Sequence, residues 1–162
     1  MTGLVQKRAV TGLMTGMAIM LSACSEHEVV EAPPEGVVPG LEVTDARLVL
    51  PPVAGNPAAV YFEIANEGVS GVSIDGVEVE GAASATVHDM MEFDFRMTMA
   101  DAGPIAVRTG ESKTFEPGSL HVMAFELAEG IEAGGTIEVT LKILGGKTHK
   151  FDAEIRAAGD ER

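Results

Sequence analysis

Nine methionines occur in the chain; Met1, Met14, Met17 and Met20 precede residue 21, and the other five are Met90, Met91, Met97, Met99 and Met123. These five lie between His88 and Met123, beside His88 and His121, and the run "VHDMMEFDFRMTM" (Val87–Met99) holds four of them. Core-filling methionines would be scattered among the apolar positions, which here are supplied by Val, Ile, Leu and Phe. The same run carries Asp89, Glu92, Asp94 and Arg96, which a core strand avoids. Thioether sulfur together with imidazole nitrogen suits Cu(I) best among biological metals. Zinc would favour Cys, His and carboxylate, and calcium or magnesium all-oxygen ligands. A blue-copper electron-transfer centre needs a thiolate, and the one cysteine, Cys24, lies far upstream of the cluster.

The elements that must position these donors read as strands. "LEVTDARLVL" (Leu41–Leu50) alternates and stops at Pro51-Pro52, and "AAVYFEIANEG" (Ala58–Gly68) alternates up to an Asn-Glu-Gly turn. "VSIDGVEVEG" (Val72–Gly81) reads as a strand broken at Asp75-Gly76, followed by "ATVHDM" leading into the methionine run. "IAVRTGESKTFEPGS" gives two short strands about a turn, "HVMAFEL" (His121–Leu127) alternates, and "GGTIEVTLKILGGKTHKFDAEIRA" is a hairpin turning at Gly145-Gly146. Short strands with frequent turn signals and no helical period indicate an all-β sandwich or barrel. Alternation with period two then puts His88 with Met90, Met97 with Met99, and His121 with Met123 on common strand faces. His149, just after the Gly-Gly turn, is expected at the surface.

The spacing His88-x10-Met99-x21-His121-x-Met123 resembles the signature of the PCuAC family of periplasmic copper chaperones. "PAAVYFEIANEG" is similar to that family's early Tyr-containing strand and Asn turn, "VHDM" to its His-Glu-Met segment, "FRMTM" to its Met-x-Met and "PGSLHVMAFEL" to its Pro-Gly-x-x-His-x-Met strand. The resemblance runs from about Leu41 to Ala157. Where the family often has a small Gly-containing turn, this chain has "MEFDF". The resemblance implies a cupredoxin-like antiparallel β-sandwich with His88, Met99, His121 and Met123 as copper ligands. Met90 and Met97 are auxiliary candidates, and packing is an equal reading of Met97. Cu(I) is the expected cargo and Cu(II) the second candidate. A respiratory oxidase copper site is the implied recipient, with a Sco-type thiol protein as co-worker.

The amino-terminal segment reads as an export signal. Lys7 and Arg8 precede the uncharged stretch Ala9–Leu21, whose thirteen residues fall short of the roughly 20 a membrane span needs. "LSAC" (Leu21–Cys24) resembles a lipobox, which makes residues 1–23 the signal and Cys24 the lipidated first mature residue, anchored to the cell envelope. Ser25 rather than aspartate follows it, so the outer membrane is the expected side. "SEHEVVEAPPEGVVPG" (Ser25–Gly40) reads as a tether in which His27 is solvated, residues 41–158 as the domain and 159–162 as a tail. Loss of Lys7 and Arg8 takes the formal charge from −14 to −16, which argues against nucleic acid. With no Ser-His-Asp or Cys-His grouping, and no carboxylate at matching spacing in the donor cluster, no enzyme is expected. The alternatives are a Met-lined apolar edge and a metal-free structural or assembly lipoprotein.

Overall fold

The structure, a computed structural model, describes residues 35–160. The signal segment, Cys24 and His27 lie outside the described residues. Ten strands follow one another: β1 (Leu41–Val49), β2 (Ala58–Asn66), β3 (Val72–Val79), β4 (Ala82–Phe93), β5 (Arg96–Asp101), β6 (Ile105–Val107), β7 (Glu111–Phe115), β8 (His121–Leu127), β9 (Thr136–Ile143) and β10 (Lys147–Arg156). Among the described residues there is no helix, as the lack of a 3.6-residue apolar period implies. The strands hydrogen-bond in the order β5-β4-β8-β2-β1-β10-β9-β3-β6, with β7 also pairing β2. β3 additionally contacts β4, so the chain of ladders folds over on itself as a β-sandwich.

The alternation read in β2 sends Val60, Phe62 and Ile64 into the core, where they meet Leu141 and Val139 of β9, Val122 of β8 and Phe115 of β7. Phe62 stacks on Phe115 with ring centroids 4.1 Å apart and tilts against Phe151 of β10 at 5.1 Å. The Asn-Glu-Gly turn after β2 is tied down by Asn66. Its buried amide nitrogen donates to the Ser70 and Val107 carbonyls (3.0 and 2.9 Å), and its oxygen accepts from the Gly68 N–H. An Asn side chain so placed substitutes for backbone partners that the turn leaves unmet.

The sandwich is largely antiparallel, as expected, with one parallel pair among the described strands: β1 pairs β10 through Arg47–Val49 and Glu154–Arg156. Strands so far apart in sequence have the intervening chain to make that crossover, and strand direction leaves no mark on local composition. One sequence expectation is corrected: Asp75-Gly76 does not break β3. The ladder to β9 shifts register between Ile74 and Gly76 and resumes, as a β-bulge does. A second irregularity interrupts β1 between Thr44 and Arg47, with Asp45 at φ 53°.

The "MEFDF" connection closes as a two-residue hairpin. Phe93 pairs Arg96, and the two loop residues, Asp94 and Phe95, have φ of 51° and 58°. Positive φ at both central positions is the type I′ pattern, which favours Asn-Gly or Asp-Gly. Asp tolerates that conformation; an aromatic residue there is strained by roughly 1–2 kcal/mol. Phe95 is also 94% exposed, so packing offsets little of the strain. Phe95→Gly is therefore expected to raise unfolding free energy by about 0.5–1 kcal/mol, after allowing for glycine's greater freedom in the unfolded chain. Urea denaturation of parent and variant measures this; a variant less stable than the parent would contradict it.

Candidate metal centre

Register, more than spacing, assembles the donors. His88 on β4 stands opposite Asp101 on β5 and opposite His121 on β8. Met90 faces Met99, Glu92 faces Met97, and Met123 faces Thr86. Directly opposed residues project to the same side of a sheet, and so do residues two apart in one strand. His88, Met90, Met97, Met99, Asp101, His121 and Met123 therefore share one face of the β5-β4-β8 sheet. Met91, opposite Thr98, projects to the other. The core lies beneath, since Val87, Val122 and Ala124 alternate with the donors and are buried. Met97 stands toward the hairpin tip and is exposed.

Two of the expected ligands, His121 and Met99, are in direct contact. His121 Nδ1 lies 2.7 Å from the Ser119 carbonyl oxygen. A carbonyl only accepts, so Nδ1 carries the proton and Nε2 of the neutral ring keeps its lone pair. That Nε2 is 3.2 Å from Met99 Sδ. Two electron-pair donors thus face the same point. On a tetrahedral ion with bonds of about 2.1 Å to nitrogen and 2.3 Å to sulfur, two such ligands sit about 3.6 Å apart, close to the separation here. The His88 ring stands edge-on to His121, with centroids 6.0 Å apart. Its Nε2 is 3.0 Å from Asp101 Oδ1, while its Nδ1 is buried and has no hydrogen-bond partner. Tyr61 flanks His121 at 6.4 Å on the β2 side, with the Arg47 guanidinium over its ring. Among the described residues no three His, Cys, Asp or Glu side chains form a metal-binding group.

Asp101 escaped the sequence reading, which expected no carboxylate at matching spacing. The signal lay in "RMTMAD": Asp101 is in phase with Met97 and Met99, and the cross-strand register carries it to His88.

His149 is a further correction. It is 4% exposed rather than on the surface. In "KTHKFDAEI" it is in phase with Phe151, Ala153 and Ile155, three inward-facing residues of β10, and that phase outweighs its closeness to the Gly-Gly turn. Its Nδ1 accepts the Val38 N–H (3.2 Å), and the Gly36 carbonyl accepts the Lys150 N–H (2.7 Å), which docks residues ahead of β1 onto β10. Burial holds the His149 pKa below its usual 6.5. The folded chain then resists a proton that the unfolded chain takes up. The stabilisation is full above about pH 6.5 and is lost as pH falls through the depressed folded value. The parent should lose more stability between pH 7 and pH 5 than His149→Gln, which keeps an acceptor but does not titrate. Equal losses in paired urea melts would refute this.

Comparison with known proteins agrees with this architecture. The family model described as "Putative lipoprotein LpqE-like" matches residues 41–155. The apo PCuAC domain from PmoF1 superposes with a TM-score of 0.62 at 26% identity, over 74% of this chain and 96% of that one. The copper-bound PCuAC domain from PmoF2 gives 0.61 at 19% identity, over 75% and 96%. The solution structure of CuI-DR1885 from Deinococcus radiodurans gives 0.57 at 22% identity, over 77% and 83%. A search of curated proteins returned no match. With its strand order, its donor-bearing β5-β4-β8 face and a family match over most of its length, the chain belongs to the LpqE-like family and carries a PCuAC-type β-sandwich domain.

Proposed function

We propose that this protein is a copper carrier of the bacterial cell envelope, binding Cu(I) through His88, Met99, His121 and Met123. The observation that carries the reading is the His121 Nε2–Met99 Sδ approach of 3.2 Å, on the face that also presents His88 and Met123. Copper in the related domains from PmoF2 and Deinococcus radiodurans supports it. Met90 and Met97 are on the same face as auxiliary donors. Cu(II) is the second oxidation state of the cargo.

The mechanism is ligand exchange, not catalysis. The Ser119 carbonyl fixes the His121 tautomer, so the ring presents Nε2 without rearranging. Met99 is half-exposed on the edge hairpin, where an acceptor's ligands can reach the ion while His121, buried beneath, holds it. All four donors are neutral, so copper leaves without a thiolate having to be reprotonated. Thioethers also form no disulfides in an oxidising compartment, although oxidation to sulfoxide would remove the donor. Lipidation at Cys24 places the carrier at the membrane, on the outer-membrane side, and the "lipoprotein" of the family description supports an envelope location. The recipient is a respiratory oxidase copper site, reached together with a Sco-type protein.

Titration of the protein with Cu(I), with X-ray absorption counting the ligands, tests the proposal. One equivalent bound with mixed sulfur and nitrogen coordination is expected. No uptake, or an oxygen-only shell, would overturn it and favour a metal-free structural lipoprotein.

A further inference from the structure

The four neutral donors leave the charge of a bound ion uncompensated, and one acidic side chain touches them. Asp101 Oδ1 lies 3.0 Å from His88 Nε2, and the Asp101 side chain is 80% exposed. A carboxylate accepts, so His88 Nε2 donates to it and, in the neutral ring that ligation requires, carries the one proton. The nitrogen left with a lone pair is Nδ1, the buried atom with no partner. The two histidines thus have opposite tautomers, each set by a different oxygen: Ser119 holds His121 through Nδ1–H, and Asp101 holds His88 through Nε2–H.

A carboxylate on the far nitrogen of a histidine orients the ring and makes its other nitrogen a stronger electron-pair donor. It also places a negative charge one imidazole away from the ion. Both effects act on the two copper oxidation states unequally. The coulombic attraction scales with the ion's charge, so it is twice as large for Cu(II) as for Cu(I). A more basic nitrogen likewise suits the harder ion, whereas thioethers suit Cu(I). Asp101 is the acidic residue in the His121–His88–Asp101 row of opposed residues. Glu92 shares the face but stands beside Met97 toward the hairpin tip.

Resting on the copper reading above, we propose that Asp101 sets the oxidation-state preference of this face: hydrogen-bonded to His88, its carboxylate favours Cu(II) over Cu(I). Asp101 is a positioning residue acting through His88, and it gives a sulfur-rich site the means to retain copper after oxidation.

The test compares Cu(I) and Cu(II) affinities, each by competition with a chelator of known strength, in the parent, Asp101→Asn, Asp101→Glu and Asp94→Asn. Removing such a partner typically costs about 10–100-fold in affinity. Asp101→Asn should weaken Cu(II) binding by that factor and Cu(I) binding by about its square root, so the Cu(II)/Cu(I) affinity ratio falls roughly 3–10-fold. Asp101→Glu should restore most of the ratio. Asp94→Asn removes the same charge at the hairpin tip, in a conformation Asn tolerates, and should leave the ratio unchanged. The Cu(II) electron paramagnetic resonance spectrum should change in Asp101→Asn and not in Asp94→Asn. An unchanged ratio in Asp101→Asn, or an equal shift in Asp94→Asn, overturns the inference. If the parent takes up neither ion, the copper reading itself fails; if the parent binds copper and the ratio does not move, only the role of Asp101 fails.

Discussion

The double variant Met99→Leu/Met123→Leu is expected to fold and melt close to the parent yet bind Cu(I) orders of magnitude more weakly. Leucine nearly conserves the volume and hydrophobicity of methionine, and such swaps usually cost less than about 1.5 kcal/mol each. Met99 is 47% exposed, and Met123 is only partly buried, so little packing is at stake. Both sulfur donors, by contrast, are removed completely. Cu(II), better served by nitrogen and oxygen, should suffer less. Thermal melts and Cu(I) competition titrations on the same preparation separate packing from ligation. Parent-like Cu(I) affinity in a folded double variant would mean that the methionines are packing residues and the copper reading is wrong.

The opposite pattern is expected of Phe62→Ala. Phe62 is 1% exposed and lies between Phe115 and Phe151. Truncating a buried phenylalanine costs about 3–5 kcal/mol through lost transfer energy and the cavity left behind, and each 1.4 kcal/mol is tenfold in the folded-to-unfolded ratio. Urea denaturation should show a loss in that range. At low temperature, where most molecules remain folded, Cu(I) affinity should stay near the parent's, because Phe62 points away from the donor face. A loss below about 1 kcal/mol would show that the site collapses around the deletion and that the three rings are not the centre of the core.

Together the two variants separate what the sandwich contributes from what its edge contributes. β2 illustrates how closely they are joined: Phe62 and its inward neighbours hold the core, while the residues between them support the donor strand. Ala59 pairs Met123 and Tyr61 flanks His121. The donors are thus set on the outer surface of a strand whose inner surface is fixed by packing.

The all-β class, the strands around Phe62 and Val122, the Gly145-Gly146 turn and the placing of donors at alternate positions were legible in the order of residues alone. Each of these depends on local physics: period-two alternation, and glycine at positive φ in the turn. The spacing from His88 to Met123 was likewise enough to mark a candidate set of ligands and the family it resembles. The remaining features arise only where distant strands meet. The parallel β1–β10 pairing and the continuity of β3 through its bulge depend on which strand lies alongside, and no local signal records that. His149 is both next to a turn and in phase with Phe151 and Ala153, and only the core closing over β10 shows which of the two governs. Asp101 became part of the donor face through the β4–β5 register, set by a two-residue turn at Asp94-Phe95 that lacks the glycine such turns favour. A slip of one residue in that register would send Met99 and Asp101 to the opposite side of the sheet.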